Sequence, residues 1–440
     1  MTDKTVYIHT LGCPKNEADS EYLASLLDGR GFALVSDAEE ADIVLINTCA
    51  FVDDAKEESV EAILEACAMK EGRAELKIGV FGCLAQRYAR ELKKEIPEAD
   101  WFIGTGSFND IADIISGVPE GIFLGDIDTP QGEFGRLVEY DTPYAYVKIS
   151  EGCEKHCTYC IIPKLKGSHR SRRMEDILSE VDFLAREEGK SEIILVAQDT
   201  AYYGIDLYGK RMISELIRRI ADIDGVEWIR LLYVYPEEVD DELIGTFASC
   251  DKLVKYIDIP LQHINDRILK RMNRRTDSAS VRELIAKLRL AVPDIAIRSS
   301  FITGFPGESE EEAEELCDFL KEACLTRAGV FCYSCEEGTP AAQMEEQIPQ
   351  QVKEERRDML MRTQMEVSEK ILSGFVGKTL RVLIEDEEEG FFVGRSYLDS
   401  PEIDGAVYVR SPEPLEFNNY YEVLITDSTE YDLWGVIQKK

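Results

Sequence analysis

The chain has 440 residues, 44% of them hydrophobic, and its formal net charge is -36. At roughly 150 residues per domain, this length predicts about three domains. The sequence has no apolar run long enough to span a membrane and no secretion signal at its start, which indicates a cytoplasmic protein without a membrane partner. The acidic balance disfavours a nucleic acid substrate and favours a basic partner, because negative charges repel phosphate.

The first part of the chain alternates short apolar runs with helical patterns, as in VYIHT followed by EYLASLLDGRGF. This alternation predicts a parallel α/β domain over residues 1–118, with helices packed on a sheet. The following stretch is polar, contains Pro and Gly, and has no clear periodicity. It predicts a linker over residues 119–143.

The middle of the chain contains six further apolar strands that alternate with helices: YVKIS, EIILVA, IRLLYVY, YIDIP, AIRSSFIT and GVFCYS. Six such units predict a whole or partial (β/α)6 barrel in a core domain over residues 144–373. The last part, residues 374–440, changes to alternating strands such as TLRVLIE and YEVLITD, with turn residues between them. We expect a small antiparallel β-barrel or sandwich there.

Three cysteines of the first domain follow predicted strands directly: Cys13 after VYIHTLG, Cys49 after DIVLINT and Cys83 after KIGVFG. The carboxyl ends of parallel strands meet at one edge of the sheet, so these three thiols are expected to face one point. A single cysteine in such a place is more often a small core residue, but the recurrence at three strands argues for a site. Cys67, in the apolar stripe of a helix, is predicted to be a core residue.

A second set of three cysteines, Cys153, Cys157 and Cys160, follows the first barrel strand with the spacing CxxxCxxC. Active sites of barrels lie at this end. A structural zinc ion would need His156 or His169 as a fourth ligand. An iron-sulfur cubane held by three thiolates would instead keep one iron open to a substrate.

This motif, placed after the first strand of a six-strand βα barrel, resembles the signature of the radical S-adenosylmethionine enzymes. The resemblance implies that the open iron binds S-adenosylmethionine and that the reduced cluster cleaves it to a 5'-deoxyadenosyl radical. It also implies three residues that contact the cofactor: Tyr159 near the adenine, Gln198 after the second strand, and Arg298 on the fifth. The family's glycine-rich pattern near Arg298 is imperfect here, since Ser300 and Gly307 depart from it.

Almost the whole chain is similar to one branch of these enzymes, the methylthiotransferases. The similarity rests on TLGCPKNEADSE, INTCAFV, GCLAQRY, GCEKHCTYCIIP, PLQH and GFPGES, in this order. It implies two 4Fe-4S clusters, an auxiliary one held by Cys13, Cys49 and Cys83, and a radical-generating one held by the second set. It further implies a TRAM-like carboxyl-terminal β domain, S-adenosylmethionine as methyl donor and radical source, a sulfur source, and a flavodoxin- or ferredoxin-like electron donor.

The family modifies either an adenosine of tRNA or an aspartate of a small-subunit ribosomal protein, and charge discriminates between them. Residues 374–440 contain 14 Asp and Glu against 6 Lys and Arg. Such a surface repels tRNA and attracts a basic ribosomal protein. The segments TLGCPKN and GRSYLDSPEIDG (394–405), the latter an Asp-rich turn, also resemble the ribosomal-protein branch. The prediction is therefore methylthiolation of the β-carbon of an aspartate on that protein.

Two alternatives remain open from the sequence. A tRNA methylthiotransferase could use the basic segment KEERRDMLMR to offset the net charge and act on a modified adenosine. A non-enzymatic iron or zinc storage or scaffold protein could use its cysteines only for structure. The second alternative predicts that no 5'-deoxyadenosine is formed under reducing conditions.

Overall fold

A computed structural model describes residues 4–133, 135–138 and 141–438. Residues 134, 139 and 140 of the predicted linker, and residues 439–440 of the predicted β domain, lie outside this part of the chain. The described residues form two six-stranded sheets, a two-stranded sheet and a closed five-stranded barrel. This architecture confirms the predicted fold class.

The first sheet is parallel throughout, with strand order β2-β1-β3-β4-β5-β6. Its strands are β1 (Thr5–Thr10), β2 (Ala33–Leu34), β3 (Ile43–Thr48), β4 (Lys77–Gly82), β5 (Trp101–Gly106) and β6 (Gly121–Gly125). Four helices connect them: α1 (Pro14–Asp28), α2 (Asp53–Ala68), α3 (Cys83–Glu95) and α4 (Ile111–Gly117). Every residue of β3 is buried, as expected for a central strand with both faces covered.

Strand β6 lies at the edge of this sheet and extends it beyond residue 118, where the sequence predicts the end of the domain. Residues 121–125 therefore belong to the sheet and not to the linker. The strand escapes sequence-based prediction because it has only a short apolar run between two glycines and is partly exposed. Its pairing with β5 decides its structure, and a pairing partner is not visible in local periodicity.

The second sheet carries the six predicted strands in the order β14-β13-β12-β11-β10-β7, all parallel. The strands of this region are β7 (Tyr144–Lys148), β8 (Ser150–Glu151), β9 (Arg170–Ser171), β10 (Glu192–Val196), β11 (Trp228–Leu231), β12 (Leu253–Asp258), β13 (Ala296–Thr303) and β14 (Arg327–Cys332). Strands β8 and β9 form a separate antiparallel pair. Within the described residues the edge strands β7 and β14 do not pair with each other, so the barrel is partial.

Nine helices accompany this sheet in the described part of the chain: α5 (Ile162–Lys166), α6 (Met174–Arg186), α7 (Ile205–Tyr208), α8 (Ile213–Ala221), α9 (Asp241–Ser249), α10 (Asp266–Arg271), α11 (Ser278–Ala291), α12 (Glu310–Ala323) and α13 (Gln350–Ser373). Inward and outward residues alternate along each strand. Residues such as Val147, Leu195 and Leu231 pack on the helices, while Tyr146, Val196 and Tyr256 face the concave side.

The carboxyl-terminal domain is a closed barrel with the order β15-β16-β17-β19-β18. Its strands are β15 (Thr379–Glu388), β16 (Phe391–Arg395), β17 (Val407–Arg410), β18 (Asn419–Ser428) and β19 (Leu433–Ile437). The predicted antiparallel pairing holds except between β17 and β19, which pair in parallel and close the barrel. The core of this barrel is continuous with the concave face of the second sheet.

The Asp-rich turn, 394–405, anchors the β-barrel to the second sheet. Asp399 forms a buried ion pair with Arg327, the first residue of β14. Asp404 accepts a hydrogen bond from the Tyr256 hydroxyl at 2.7 Å and lies 3.4 Å from Nε of Arg298. The turn is thus neither an ordinary hairpin connection nor an exposed acidic surface, because its aspartates pair with side chains of the second sheet.

Candidate functional site

The cysteines of the first domain lie where the sequence predicts, past the carboxyl ends of neighbouring strands. Cys13 precedes α1 after β1, Cys49 follows β3, and Cys83 opens α3 directly after β4. Strands β1, β3 and β4 are adjacent, so the three loops lie side by side. The three thiols are close enough for Cys13 and Cys49 to affect the ionisation of Cys83.

Two glycines make this approach possible. Gly12 has φ +98°, and a Cβ there would lie 2.9 Å from Cβ of Cys49. Gly82 also has φ +98°, and a Cβ there would lie 2.9 Å from the carbonyl oxygen of Thr48. A side chain at either position would both strain the backbone and separate the cysteine loops.

The thiols of this set suit a metal-bound state. Burial raises the pKa of Cys83 to about 12, with Lys166 opposing the shift, and burial likewise raises the pKa of Cys49. These thiols keep their protons near neutral pH unless a positive group binds them, and a metal supplies that charge. Three free thiols at one edge, with Cys83 buried and Cys13 and Cys49 partly buried, therefore fit a cluster better than they fit nucleophilic chemistry.

The second cysteine set occupies the loop between β8 and α5. Cys153 and Cys157 are buried, and Cys160 is partly buried. Gly152, with φ +83°, precedes Cys153, and a Cβ there would collide with the carbonyl of Ser168. Burial raises the pKa of Cys153 to about 11. Both cysteine sets are therefore positioned by glycines that have left-handed backbone.

Hydrogen-bond donors point at the sulfur atoms of this loop. The backbone N–H of Lys155 lies 3.5 Å from Sγ of Cys153, and Nη1 of Arg274 lies 3.9 Å from Sγ of Cys157. Arg274 is fixed by a 2.7 Å bond to the carbonyl of Pro260 and stacks 4.4 Å from the Tyr235 ring. Donors of this kind stabilise thiolates over thiols, which fits a cluster held by this loop.

The zinc alternative finds no fourth ligand among the described residues. Nε2 of His169 is 3.0 Å from the Ser171 hydroxyl, and His156 is exposed. No group of three or more His, Cys, Asp or Glu side chains in the described chain converges on one point suitable for a single ion. A cubane accepts a wider arrangement, because each thiolate binds a different iron.

The predicted cofactor residues differ in what surrounds them. The Tyr159 hydroxyl is buried without a hydrogen-bond partner, next to Cys157, and burial raises its pKa well above the ordinary value. Nε2 of Gln198 donates to Glu151 at 2.5 Å, while its Oε1 is buried and unpartnered. Nη1 of Arg298 donates to Asp258 at 2.9 Å. Tyr159 and Gln198 thus present free polar atoms, whereas Arg298 is engaged by carboxylates.

Asp199, beside Gln198, has a buried carboxylate that forms an ion pair with Lys155. Burial raises its pKa to about 6, although Lys155 at 3.2 Å opposes the shift. Asp199 and Lys155 line a cavity of about 60 Å³ together with Cys153. This cavity lies next to the second cysteine set and can accept a polar ligand.

Charged residues link the two cysteine sets. Lys166, at the end of α5, lies 3.4 Å from Asp19 of the first domain and 3.3 Å from Glu151 of the barrel. Its charge also affects the ionisation of Cys83. A cavity of about 30 Å³, bordered by Gly82, Glu151 and Lys166 among others, spans this boundary. Lys166 therefore connects the surroundings of Cys83 in the first domain with Glu151, which lies two residues before Cys153 of the second set.

Sequence reasoning misses several of these residues. Lys15 is part of the recognised segment TLGCPKN, but nothing in the sequence shows that its ammonium group lies 3.7 Å above the Tyr233 ring of the barrel. Burial disfavours the charge, yet Tyr233, Cys13 and Glu151 raise the pKa of Lys15, which remains a cation. The only available signal is its position two residues after a predicted ligand.

Family models match three parts of the chain. Residues 5–104 match an uncharacterised family, UPF0004, residues 147–320 match the radical SAM superfamily, and residues 376–437 match the TRAM domain. These three matches fall within the first domain, the partial barrel and the closed barrel, although the first ends before β6 and the second before β14. Within the described residues, no helix is both long and apolar enough to cross a membrane.

Full-length relatives carry one name. The chain is 48% identical over 436 residues to "Ribosomal protein uS12 methylthiotransferase RimO" of Thermoanaerobacter sp. (strain X514), covering 98% of this chain and 99% of the relative. It is 47% identical to the protein of the same name from Thermosipho africanus, covering 98% and 99%. The protein of that name from Clostridioides difficile is 44% identical, covering 98% of each chain.

Solved structures support the fold. The radical S-adenosylmethionine methyltransferase TsrM from Kitasatospora setae, with cobalamin and a [4Fe-4S] cluster bound, superimposes with a TM-score of 0.56 over 89% of this chain and 81% of that chain, at 13% identity. The enzyme is thus a radical S-adenosylmethionine methylthiotransferase, which excludes a storage or scaffold protein. Its similarity along the full length shows that the chain belongs to the ribosomal protein uS12 methylthiotransferase (RimO) family.

Proposed function

We propose that this enzyme places a methylthio group on the β-carbon of an aspartate side chain of ribosomal protein uS12. It does so with two 4Fe-4S clusters, one held by Cys13, Cys49 and Cys83 and one by Cys153, Cys157 and Cys160. The observation that carries the proposal is that each incomplete cysteine set lies past the carboxyl ends of parallel strands, with Lys166 close enough to affect the ionisation of Cys83 and ion-paired to Glu151, two residues before Cys153. Ligands of parallel sheets bind at such edges.

The cluster at the second cysteine set supplies, when reduced, the electron that cleaves S-adenosylmethionine to a 5'-deoxyadenosyl radical. Such a radical can remove hydrogen from a carbon that no acid or base in the protein could deprotonate. Cys13, Cys49 and Cys83 would hold the auxiliary cluster, which would supply a sulfur atom for methylation by another S-adenosylmethionine. Both sets would then have to face the substrate carbon, and the cavity at the boundary of the two sheets is lined by residues that flank them, Gly82 before Cys83 and Glu151 before Cys153.

The chain's own residues bind, orient and shield the reactants. Gly152 lets the cysteine loop turn tightly, and Arg274 keeps a positive charge against Cys157. We propose that the free atoms of Tyr159 and Gln198 contact S-adenosylmethionine at this loop. Arg298 lies farther inside, between Asp258 and Asp404, and its contact with the nucleoside stays a prediction.

The substrate assignment is supported by the relatives' names and by surface charge. Ribosomal proteins are basic, and an acidic enzyme attracts them electrostatically. The exposed acidic surface of the β-barrel lies on strand ends and loops, for example at residues 386–389, Glu413 and Glu422. The paired aspartates of the 394–405 turn do not contribute to it, because Arg327 and other barrel groups neutralise them.

The tRNA alternative receives no support from these relatives, all of which are named for uS12. A tRNA-binding surface would need clustered cations to neutralise phosphates. The net charge of -36 opposes this. We further propose a flavodoxin- or ferredoxin-like electron donor and a separate sulfur source, because the described residues include neither.

The test is anaerobic reconstitution, followed by separate incubation with uS12 and with tRNA in the presence of S-adenosylmethionine and a reductant. We expect a mass gain of one methylthio group on an aspartate of uS12 and none on tRNA. Cys67→Ala is a matched control, since Cys67 lies near the end of α2 and the groups that affect its ionisation include none of the six predicted cluster ligands. Modification of tRNA alone would refute the substrate assignment.

A further inference from the structure

Lys15 places an unpaired cation in the region between the cysteine sets. Its Nζ stacks 3.7 Å from the centroid of the Tyr233 ring, which belongs to the barrel. No carboxylate of the described residues lies within ion-pair distance of this ammonium group, whereas Lys148 and Lys166 nearby each have two. Lys15 is partly buried, and a cation withdrawn from water is normally paired, so its lack of a carboxylate partner among the described residues leaves room for an anion.

Tyr233 is held rigidly in the position where it contacts Lys15. Its φ is +59°, an uncommon conformation for an aromatic residue. Its backbone N–H donates to Asp258 at 3.2 Å, and its carbonyl accepts from the backbone N–H of Thr200 at 3.1 Å. Strained residues held by several bonds cluster at functional sites. The strain here fixes an aromatic surface opposite Lys15.

The neighbouring charges leave one positive charge uncompensated. Lys148 and Lys166 share Asp19 and Glu151, so these four residues balance. Lys15 is added to them without a carboxylate of its own. Arg298, the other cation near Tyr233, is already balanced by Asp258 and Asp404. A ligand that enters beside Lys15 can therefore gain from carrying a negative charge.

We propose that Lys15 binds the side-chain carboxylate of the substrate aspartate and so selects aspartate over uncharged residues. This inference rests on the proposed function. The carboxylate is one bond from the β-carbon that reacts, so binding it beside Cys13 holds that carbon at the boundary between the two cysteine sets. A positioned lysine also offsets the cost of desolvating the carboxylate in a closed site.

A rival role for Lys15 is to balance the negative charge of thiolates at Cys13. The two roles differ in what a charge-removing substitution changes. Loss of a substrate contact alters binding of aspartate relative to asparagine and leaves iron content unchanged. Loss of a cluster contact alters iron content or reduction potential, and it leaves the ratio of the two dissociation constants, for uS12 with aspartate and for uS12 with asparagine, unchanged.

The experiment uses reconstituted holoenzyme and two forms of uS12. Mass spectrometry first locates the aspartate that the wild-type enzyme modifies, and a second uS12 carries asparagine there. Dissociation constants are then measured for both forms with wild-type enzyme, Lys15→Met and Lys15→Arg. We expect the wild type to bind the aspartate form some tens-fold more tightly than the asparagine form. Lys15→Met should bind both forms equally, and Lys15→Arg should retain most of the wild-type difference in dissociation constant.

Lys94→Met provides the matched control, because Lys94 is 81% exposed in the same domain. Iron content and 5'-deoxyadenosine formation are measured for each variant. A preserved preference in Lys15→Met, or loss of iron together with unchanged preference, would overturn the inference. If the wild type neither binds nor modifies uS12, the proposed function itself fails, which is a result visible without any variant.

Discussion

The two cysteine sets hold the same number of thiols but are built differently. Cys153, Cys157 and Cys160 come from one loop, and side-chain and backbone donors surround their sulfur atoms. Cys13, Cys49 and Cys83 come from three loops and meet only because β1, β3 and β4 are adjacent. The set from one loop, Cys153, Cys157 and Cys160, is contiguous and depends on local contacts. The set from three loops, Cys13, Cys49 and Cys83, is dispersed and depends on the backbone of a whole domain.

The largest expected effect separates the two sets by function. Cys157→Ala is expected to abolish 5'-deoxyadenosine formation, because one ligand of the radical-generating cluster is lost. Cys49→Ala is expected to leave 5'-deoxyadenosine formation in place and abolish methylthio transfer. Chromatography of the nucleoside and mass spectrometry of uS12 measure both. Equal loss of 5'-deoxyadenosine in the two variants would contradict the division of roles.

The next effect tests the backbone dependence of the dispersed set. Gly82 has φ +98° and ψ -151°, a region that is essentially restricted to glycine. Gly82→Ala is expected to cost about 1–3 kcal/mol of unfolding free energy and to lower the iron content of the first domain. Denaturant titration and iron analysis measure these changes. Gly117→Ala is the control, because a Cβ there meets nothing within 4 Å, and no loss of iron is expected.

A smaller effect tests the local contacts of the contiguous set. Arg274→Gln removes the cation beside Cys157 and should lower the rate of 5'-deoxyadenosine formation by about 10–100-fold, as for other groups that support metal ligands. Arg274→Lys should recover part of the rate. Arg186→Gln, at a half-exposed position, is the control and should leave the rate of 5'-deoxyadenosine formation unchanged. A normal rate in Arg274→Gln would show that the donor is dispensable.

The smallest effect concerns Glu17 on α1, the helix that follows Cys13. Burial raises the pKa of Glu17 to about 8, and Glu21 and Glu402 add to the shift. From about pH 4.5 to 8 the unfolded chain releases this proton while the folded protein keeps it, so the stability contribution of Glu17 falls as pH rises. Because Glu17 is partly exposed and solvent screens its charge, Glu17→Gln should raise the unfolding free energy at pH 8 by about 2 kcal/mol, which is less than the full pKa shift would give.

Below pH 4.5 the same substitution should make no difference, because the carboxyl group is then protonated in both states. Denaturant titrations at the two pH values provide the measurement. Glu58→Gln, at an exposed position on α2, is the control and should show no such pH dependence. An equal effect of Glu17→Gln at both pH values would exclude a titration origin.

The shared position of Cys13, Cys49 and Cys83 could be predicted from the sequence because alternating strands and helices predict a parallel sheet, whose strands all end at the same edge. Each of these cysteines follows a strand, and this common position can be recognised although the cysteines are far apart in the sequence. The contiguous set is visible from spacing alone. The six barrel strands are equally clear, since each is an apolar run of ordinary strand length.

What the sequence could not predict depends on contacts between distant elements. Lys15 meets Tyr233, and Lys166 meets Asp19, only after the two sheets pack together. The buried role of Asp399 was hidden because an acidic turn gives no sign of its arginine partner. Charge counted along a segment therefore overestimates the acidic surface, whereas charge counted over exposed residues measures it.

The most direct test of the central claim is the iron and sulfide content of three reconstituted proteins. The wild type should contain about eight iron and eight sulfide per chain, from two cubanes. Replacing Cys13, Cys49 and Cys83 together by alanine should leave about four of each, and so should replacing Cys153, Cys157 and Cys160. A wild type with only about four, or a dispersed-set variant that keeps about eight, would contradict the account.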